Sequence, residues 1–337
     1  MRDEKLLKEL TQLWGVSGYE KEVRKYIEKE AAPYADEMLT DAMGNLIVKK
    51  NGTGGPDSKK IMYAAHMDEI GFMVKTIEAD GRLRVCNLGW NWTGSAYNSR
   101  VQFKNGTIGV VSCMGSIEEA ANKAGKLYID IGATSKEDAL KYVNLGDPIV
   151  RDTHIRKLAN GKFTARALDD RLGVYIIMEA MKRAKERGCK AGVYGASTTG
   201  EETTKTGAYW TSTRINPTMA IVVDVTYASD YNGMDPAETG TVLLGEGPVL
   251  CNSPIVVKAL NAKMEECAKE AGIPVQREAA SRLTYTDGDK IHFSNQGVPM
   301  VLVSIPLRYM HMPAEVADEK DVEGCIELIA EFLVKCV

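Results

Sequence analysis

The chain holds 337 residues, 44% hydrophobic and 26% charged, with 42 basic against 46 acidic side chains and a formal net charge of −4. That balance describes a globular chain of about two domains and excludes fibrous, collagen-like and disordered classes. It offers no basic field to nucleic acid or an anionic membrane, and no apolar run approaches the roughly 20 residues that span a bilayer.

The opening segment MRDEKLLKEL puts charges where a secretory signal would put its apolar core, so a cytoplasmic protein is expected. Leu6, Leu10 and Leu13, then Val23, Tyr26 and Ile27, recur at helical spacing and predict two amphipathic helices within the first fifty residues. Between them, Ser17-Gly18-Tyr19-Glu20 matches a capping box. In that motif Ser17 accepts from free N–H groups of the second helix and Glu20 reaches back. The unbroken apolar run Ile61-Met62-Tyr63-Ala64-Ala65 predicts a parallel strand covered on both faces and ended by His66. From about 72 to 163, Val, Ile and Thr stretches are punctuated by glycines such as Gly81, Gly89, Gly106 and Gly132, which predicts a small β-rich unit. Linkers are expected near 71 to 73 and near 160 to 166, where Asn160-Gly161-Lys162 reads as a turn.

Beyond Asp170 the texture alternates: a helix to about Gly188, then strands near 191 to 197, 219 to 225 and 299 to 305. A further helix is predicted from Pro254 to Gly272, with Val256, Leu260, Met264, Cys267 and Ala271 on one stripe. The last helix, capped near Asp318, turns Val322, Ile326 and Ile329 inward. The expected fold is therefore α/β, a mostly parallel sheet with helices on both faces. Residues 1–71 and 164–337 form its catalytic domain, and residues 72–163 form an inserted, small, barrel-like β domain. Seven cysteines, at 86, 113, 189, 251, 267, 325 and 336, lack any C-x-x-C pair and read as reduced core thiols. Any bound metal would then be held by oxygen and nitrogen.

Open α/β sheets bind ligands beyond the carboxyl ends of their strands, and polar residues end several strands here. His66-Met67-Asp68 follows the first, Glu201-Glu202 the second, Asp224 closes Ile221-Val222-Val223, and His311 lies beyond Ile305. Asp169 and Asp170 open the returning helix. Alternation along an extended segment puts His66 and Asp68 on one side, so the carboxylate can orient the imidazole. Each piece also has a plain structural reading: a buried His–Asp pair, an acidic loop at Glu201-Glu202, or a helix cap at Asp169-Asp170. Asp224 is harder to explain, because a carboxylate after three β-branched residues is costly without a partner. Together, two histidines and several carboxylates match a two-metal hydrolytic site binding zinc, cobalt or manganese, in which one carboxylate bridges and one glutamate handles the proton. His154 and His292 read as ordinary polar residues.

Five segments in order resemble the tetrahedral metallo-aminopeptidases of the glutamyl/leucyl aminopeptidase type. They are Ala65-His66-Met67-Asp68-Glu69-Ile70-Gly71, Ala167-Leu168-Asp169-Asp170-Arg171, Glu201-Glu202 with Gly207-Ala208, Val223-Asp224-Val225-Thr226, and Pro306-Leu307-Arg308-Tyr309-Met310-His311. The resemblance implies two divalent metal ions per subunit, one held by His66 and Asp224, the other by Glu202 and His311, with Asp169 bridging. It also implies Glu201 as general base, Asp68 as its partner in the catalytic set, and Asp170 as support for Asp169. Asp287, in Thr286-Asp287-Gly288, is expected either to anchor a substrate amine, to position His311, or simply to form a turn. The implied activity is release of N-terminal residues from short peptides, by a self-associating chain, commonly a dodecamer built from dimers through the inserted domain. Thr203-Thr204-Lys205-Thr206 departs from the family's more apolar run and leaves substrate preference open.

Two other classes compete. A glycoside hydrolase would use two carboxylates such as Glu201 and Asp224 without metal. Against it, the chain has only Trp14, Trp90, Trp92 and Trp210 and no aromatic-rich platform. A catalytically silent cage subunit would require lost ligands, yet every expected ligand is present.

Overall fold

The computed structural model describes residues 3–55, 58–116 and 124–336. Two helices, Glu4–Gln12 and Lys21–Ala31, open the chain and bury Leu6, Leu7, Leu10, Val23 and Ile27, as their periodicity predicts. A hairpin of β1 (Glu37–Thr40) and β2 (Leu46–Lys50) follows, which the sequence reading missed. Every β1 residue is exposed, so no apolar alternation marks the strand.

The central strands are β3 (Lys60–His66), β12 (Gly192–Thr198), β13 (Met219–Tyr227) and β16 (Met300–Leu307). With β14 (Val249–Asn252) and β15 (Gln276–Ala279) they complete an eight-stranded sheet in the order β1-β2-β12-β3-β13-β16-β14-β15. The four central strands run parallel, while β2 and β14 join them antiparallel on either side.

Both sheet faces are buried, and strand alternation assigns residues to two cores. Ile61, Tyr63, Ala65, Ile221, Val223, Val301 and Val303 face one core, which also takes Leu172 and Ile176 of the helix Leu168–Glu186 and Ile326 of the helix Glu319–Cys336. Met62, Ala64, Ala220, Val222, Met300 and Leu302 face the other, with Ala208 and Ile215 of the helix Thr206–Ile215. The helix after Pro254 starts later than expected, at Lys258, because Val257 N–H is drawn to Met300 O and Val256 N–H to Ser253 O. It ends as predicted at Gly272, whose φ of 68° lies in the left-handed region. Its buried face is Asn261, Met264, Cys267 and Ala268, and Ala271 is exposed.

Between β3 and the helix Leu168–Glu186 stand β4 (Gly71–Ile77), β5 (Leu83–Leu88), β6 (Arg100–Phe103), β7 (Ile108–Cys113), β8 (Leu127–Asp130) and β9 (Pro148–Arg151). They close into a barrel, β4-β5-β8-β7-β6-β9, filled by Phe72, Val74, Leu83, Val101, Phe103 and Ile149. Next, β10 (Arg156–Lys157) and β11 (Lys162–Ala165) pair with β17 (Glu315–Asp318) in a three-stranded sheet that ties the chain leaving the barrel to the entrance of the last helix. Cys189, Cys251 and Cys325 are buried free thiols, and the Cys336 side chain falls outside the described residues. No helix of the described residues is long and apolar enough to cross a membrane.

Ile326 is fully buried where the last helix meets the sheet. Ile326→Ala is expected to cost about 2–5 kcal/mol, read as a lower denaturant midpoint at unchanged slope. An unchanged midpoint would contradict this packing.

Candidate active site

Parallel pairing brings the carboxyl ends of β3, β12, β13 and β16 to one edge of the sheet. His66 is the last residue of β3, Asp224 lies in the second half of β13, Glu201 and Glu202 sit in the turn after β12, and His311 follows β16. The start of the helix Leu168–Glu186 brings Asp169 and Asp170 to the same place. Asp169 Oδ1 lies 3.1 Å from His66 Nε2, and its Oδ2 lies 2.9 Å from His311 Nε2. His311 Nε2 is also 3.5 Å from Glu202 Oε1, and His66 Nε2 is 3.9 Å from Glu201 Oε2. His66, Asp169 and Asp224 form one group, and Asp169, Glu202 and His311 a second, each offering ligand atoms all within 4.8 Å of one another.

A buried frame holds this cluster. Asp68 is fully buried; it accepts from Ser17 Oγ at 2.6 Å and from the N–H groups of Glu201 and Glu202 at 3.1 and 3.2 Å. His66 Nδ1 lies 3.1 Å from the Asp68 backbone carbonyl and 3.5 Å from its carboxylate, so Asp68 orients the imidazole and the glutamate turn together. Asp170 accepts from His66 N–H at 3.3 Å and from Gly173 N–H at 3.0 Å. A Cβ at Gly173 would meet Asp170 Oδ2 at 2.3 Å, so glycine is what admits that carboxylate. The Ser17–Glu20 segment is not the expected capping box, since Ser17 donates to Asp68 and the helix Lys21–Ala31 has no side-chain cap. Glu20 accepts instead from the N–H groups of Gly18 and Gly200, bracing the turn that carries Glu201. Ser17 turns to Asp68 because both groups are buried and a buried carboxylate needs donors.

Glu315 was missed in the sequence. It is buried, and accepts from the N–H groups of Leu168, Asp169 and His311 at 2.8, 3.2 and 3.0 Å. One carboxylate thus fixes the backbone of two cluster members. Nothing local marks it, because its partners lie far away in the chain or in a loop without periodicity. Backbone strain is a second unforeseen feature. Among the described residues, the positive-φ positions other than glycine and asparagine are Ala167, Lys205, Tyr285, Tyr309 and His311, all of them at or beside the cluster. Each left-handed residue of this kind costs of order 1–2 kcal/mol and persists only where its surroundings hold it. The Asp169–Asp170 peptide is cis.

The electrostatics follow from burial. Desolvation raises Asp170, Asp224 and Glu201, with neighbouring carboxylates adding to the effect, and pushes Glu202 and Asp287 up to about 7 and Glu315 up to about 8. Burial opposes charge on both imidazoles, yet Asp169 and Asp68 raise His66, and Glu202 with Asp169 pushes His311 up to about 12. Burial likewise disfavours an ionised Asp169, but the two histidines outweigh it and hold this carboxyl below its usual range. Glu202 Oε1 is buried without a hydrogen-bond partner among the described residues. Converging carboxylates and imidazoles with no thiolate form a donor set for divalent cations such as zinc, cobalt or manganese.

Not every expected residue reaches the cluster. Asp287 is only 1% exposed and lies behind the site, accepting from Thr198 Oγ1, and is not part of the cleft wall. His154 and His292, read from the sequence as ordinary polar residues, lie elsewhere: His154 faces Gln12 and Asp152 at the surface, and His292 Nδ1 contacts Gly288 O. The cluster opens on a cleft of about 620 Å³, whose walls include Trp90 from the barrel and Lys205 from the segment after the glutamates.

An α/β chain with this carboxylate–imidazole centre at its strand ends and a barrel between the two parts of its sheet is the architecture of a metallopeptidase class. The family profile of the M42 glutamyl aminopeptidases matches residues 44–328, and the chain belongs to this family and is an aminopeptidase. It is 38% identical to a putative aminopeptidase of Acetivibrio thermocellus over 97% of each chain. With the lysyl aminopeptidase of Pyrococcus furiosus it shares 33% identity, over 99% of this chain and 97% of that one. Among solved structures, a TET aminopeptidase from a Thaumarchaeota archaeon matches with a TM-score of 0.91 at 32% identity, covering 99% and 97% of the two chains. Pyrococcus horikoshii TET1 peptidase (TM-score 0.85, 30% identity, 98% and 99% coverage) is described as assembling into a tetrahedron or a large octahedral shell. A Thermotoga maritima protein named endoglucanase also matches (TM-score 0.80, 31% identity, 97% and 96% coverage).

The raised groups make a pH prediction. Each of them binds its proton more tightly in the folded than in the unfolded chain, so the stability it contributes is lost as pH rises through its folded pKa. Chelator-treated protein should therefore lose thermal stability between about pH 4 and 8, the span from ordinary carboxylates to Glu315, and zinc or cobalt should flatten that slope. Equal midpoints at pH 5 and 8 in chelator would contradict the arrangement.

Proposed function

We propose that this aminopeptidase removes N-terminal residues from short peptides using two divalent metal ions per subunit, zinc or cobalt, or else manganese. His66 and Asp224 would hold one ion, Glu202 and His311 the other, and Asp169 would be shared. The observation that carries this reading is the pair of ligand groups with Asp169 in common. The raised carboxylates of Glu202 and Asp224 fit the same set, since cations would compensate their charge. Such a pair of ions supplies a water acidified towards neutral pH and a polarised carbonyl.

The chain's own residues do the rest. Glu201 takes the proton of the attacking water and delivers it to the departing amine; its raised pKa suits a group that must both accept and give. Asp68 keeps His66 and the glutamate turn in register, and Asp170 anchors the His66 backbone. Asp287 acts from behind the wall, through Thr198, and not on the substrate amine.

Residues 1–71 and 164–337 form the catalytic domain in this reading, and residues 72–163 an insert used in self-association into a twelve-subunit particle built from dimers. Support comes from the assembly described for the Pyrococcus horikoshii relative and from the exposed apolar side chains Ile108, Val110, Tyr142 and Leu145 of the insert. Glucan hydrolysis through Glu201 and Asp224 would require neither imidazole, whereas both imidazoles here face Asp169.

Metal-loaded protein should release amines from aminoacyl chromogenic substrates, lose that activity in EDTA, and leave N-blocked peptides intact. Cleavage of blocked peptides alone, or glucan hydrolysis that survives EDTA, would refute the proposal. Glu201→Gln should lower kcat by roughly 10²–10⁴ with metal content retained. Asp169→Asn should deplete both ions, measured by elemental analysis.

A further inference from the structure

The cleft contains more than its carboxylates and imidazoles. Trp90, Val225, Tyr227, Tyr285 and Met310 supply apolar wall around the centre. Trp90 is 52% exposed, its ring centroid lies 5.7 Å from that of His311, and Trp92 braces it edge-on at 4.6 Å. The residue before it fixes its approach: Gly89 has a φ of 71°, and a Cβ there would meet Ile70 Cγ2 at 2.7 Å and Glu202 Cβ at 3.2 Å. The barrel segment is thus pressed against the glutamate turn, and an indole face stands open beside the centre. Tyr285, 74% exposed, stands in the same wall.

Charged groups in the walls are already committed. Lys205 Nζ lies 2.9 Å from Glu201 Oε1 and 3.5 Å from Asp289 Oδ2, so its ammonium is engaged between two carboxylates. The carboxylates lining the cleft, Asp169, Glu201, Glu202 and Asp224, all belong to the centre. Glu278 lies behind the wall, where it accepts from Thr226 Oγ1 and Ser304 Oγ. Among the described lining residues, then, neither an uncommitted cation nor an uncommitted carboxylate remains for a charged substrate side chain. Such a side chain would meet no opposite charge there, only hydroxyls such as those of Thr203, Thr226, Thr284 and Thr286, whereas an apolar one gains by covering the aromatic wall.

From this we infer that the cleft selects peptides whose N-terminal residue carries a large apolar side chain, such as leucine, methionine or phenylalanine, over acidic or basic ones. The inference deepens the aminopeptidase reading and rests on it. Trp90 is a specificity-determining residue, touching the substrate side chain and taking no part in proton transfer.

The test is a panel of aminoacyl-coumarin substrates on metal-loaded, full-length protein, with calorimetric binding of the matching free amino acids, the products of the reaction, to the same protein. Leucyl, methionyl and phenylalanyl substrates should exceed glutamyl and lysyl ones in kcat/KM by about tenfold or more. Trp90→Ala should raise KM for these substrates several-fold with kcat nearly unchanged and should narrow the preference, while Trp90→Phe should largely restore it. A glutamyl or lysyl preference, a flat profile, or a Trp90→Ala protein with the parent's selectivity would overturn the inference and leave the aminopeptidase reading intact. Absence of turnover with every substrate would sink that reading instead. The free amino acids then decide the inference separately: it survives if the apolar ones bind more tightly than the charged ones and fails if they do not.

Discussion

Asp169 faces two imidazoles at once, one oxygen to each, almost wholly buried at the edge of the cleft. Everything around it answers the same constraint: carboxylates this deeply buried are costly unless positive charge compensates them. Histidines supply part of that charge, Lys205 supplies some to Glu201, and the remainder suits divalent cations. Burial, with neighbouring carboxylates adding to it, raises the carboxyls of Asp170, Glu202 and Asp224.

Holding such a centre requires rigidity from outside it. Asp68 and Glu315 are the two clamps. One ties Ser17 and the glutamate turn to the His66 segment; the other ties the backbones of Asp169 and His311 together. Left-handed backbone at Ala167, Lys205, Tyr285, Tyr309 and His311 is tolerated because the two well-packed cores beneath the sheet edge leave the loops little freedom. The barrel is no passive appendage, since it sends Trp90 into the cleft against His311.

Much of this was legible in the chain. Apolar runs flanking His66, Asp224 and His311 identified buried parallel strands, because covering both faces removes the alternation that a half-exposed strand would show. The interrupted texture after Gly71 announced a β-rich unit before any strand could be paired. What escaped was whatever lacked a local signal. β1 is wholly exposed, the helix after Pro254 was delayed by a contact to β16, and Ser17 abandoned a local cap for a carboxylate 51 residues away.

By itself the sequence determined which side chains are available: oxygen and nitrogen ligands without thiolates, placed where strands end, in a chain with no strong net charge. Periodicity is a local property, so it decides elements and their buried faces. Which of these side chains meet at Asp169, which carboxylate braces which backbone, and that Lys205 is engaged while Trp90 is open, were decided only by tertiary structure. Most of those relations join residues tens to well over a hundred positions apart, and even the short ones depend on distance and burial, which come into being only when the sheet and barrel close around them.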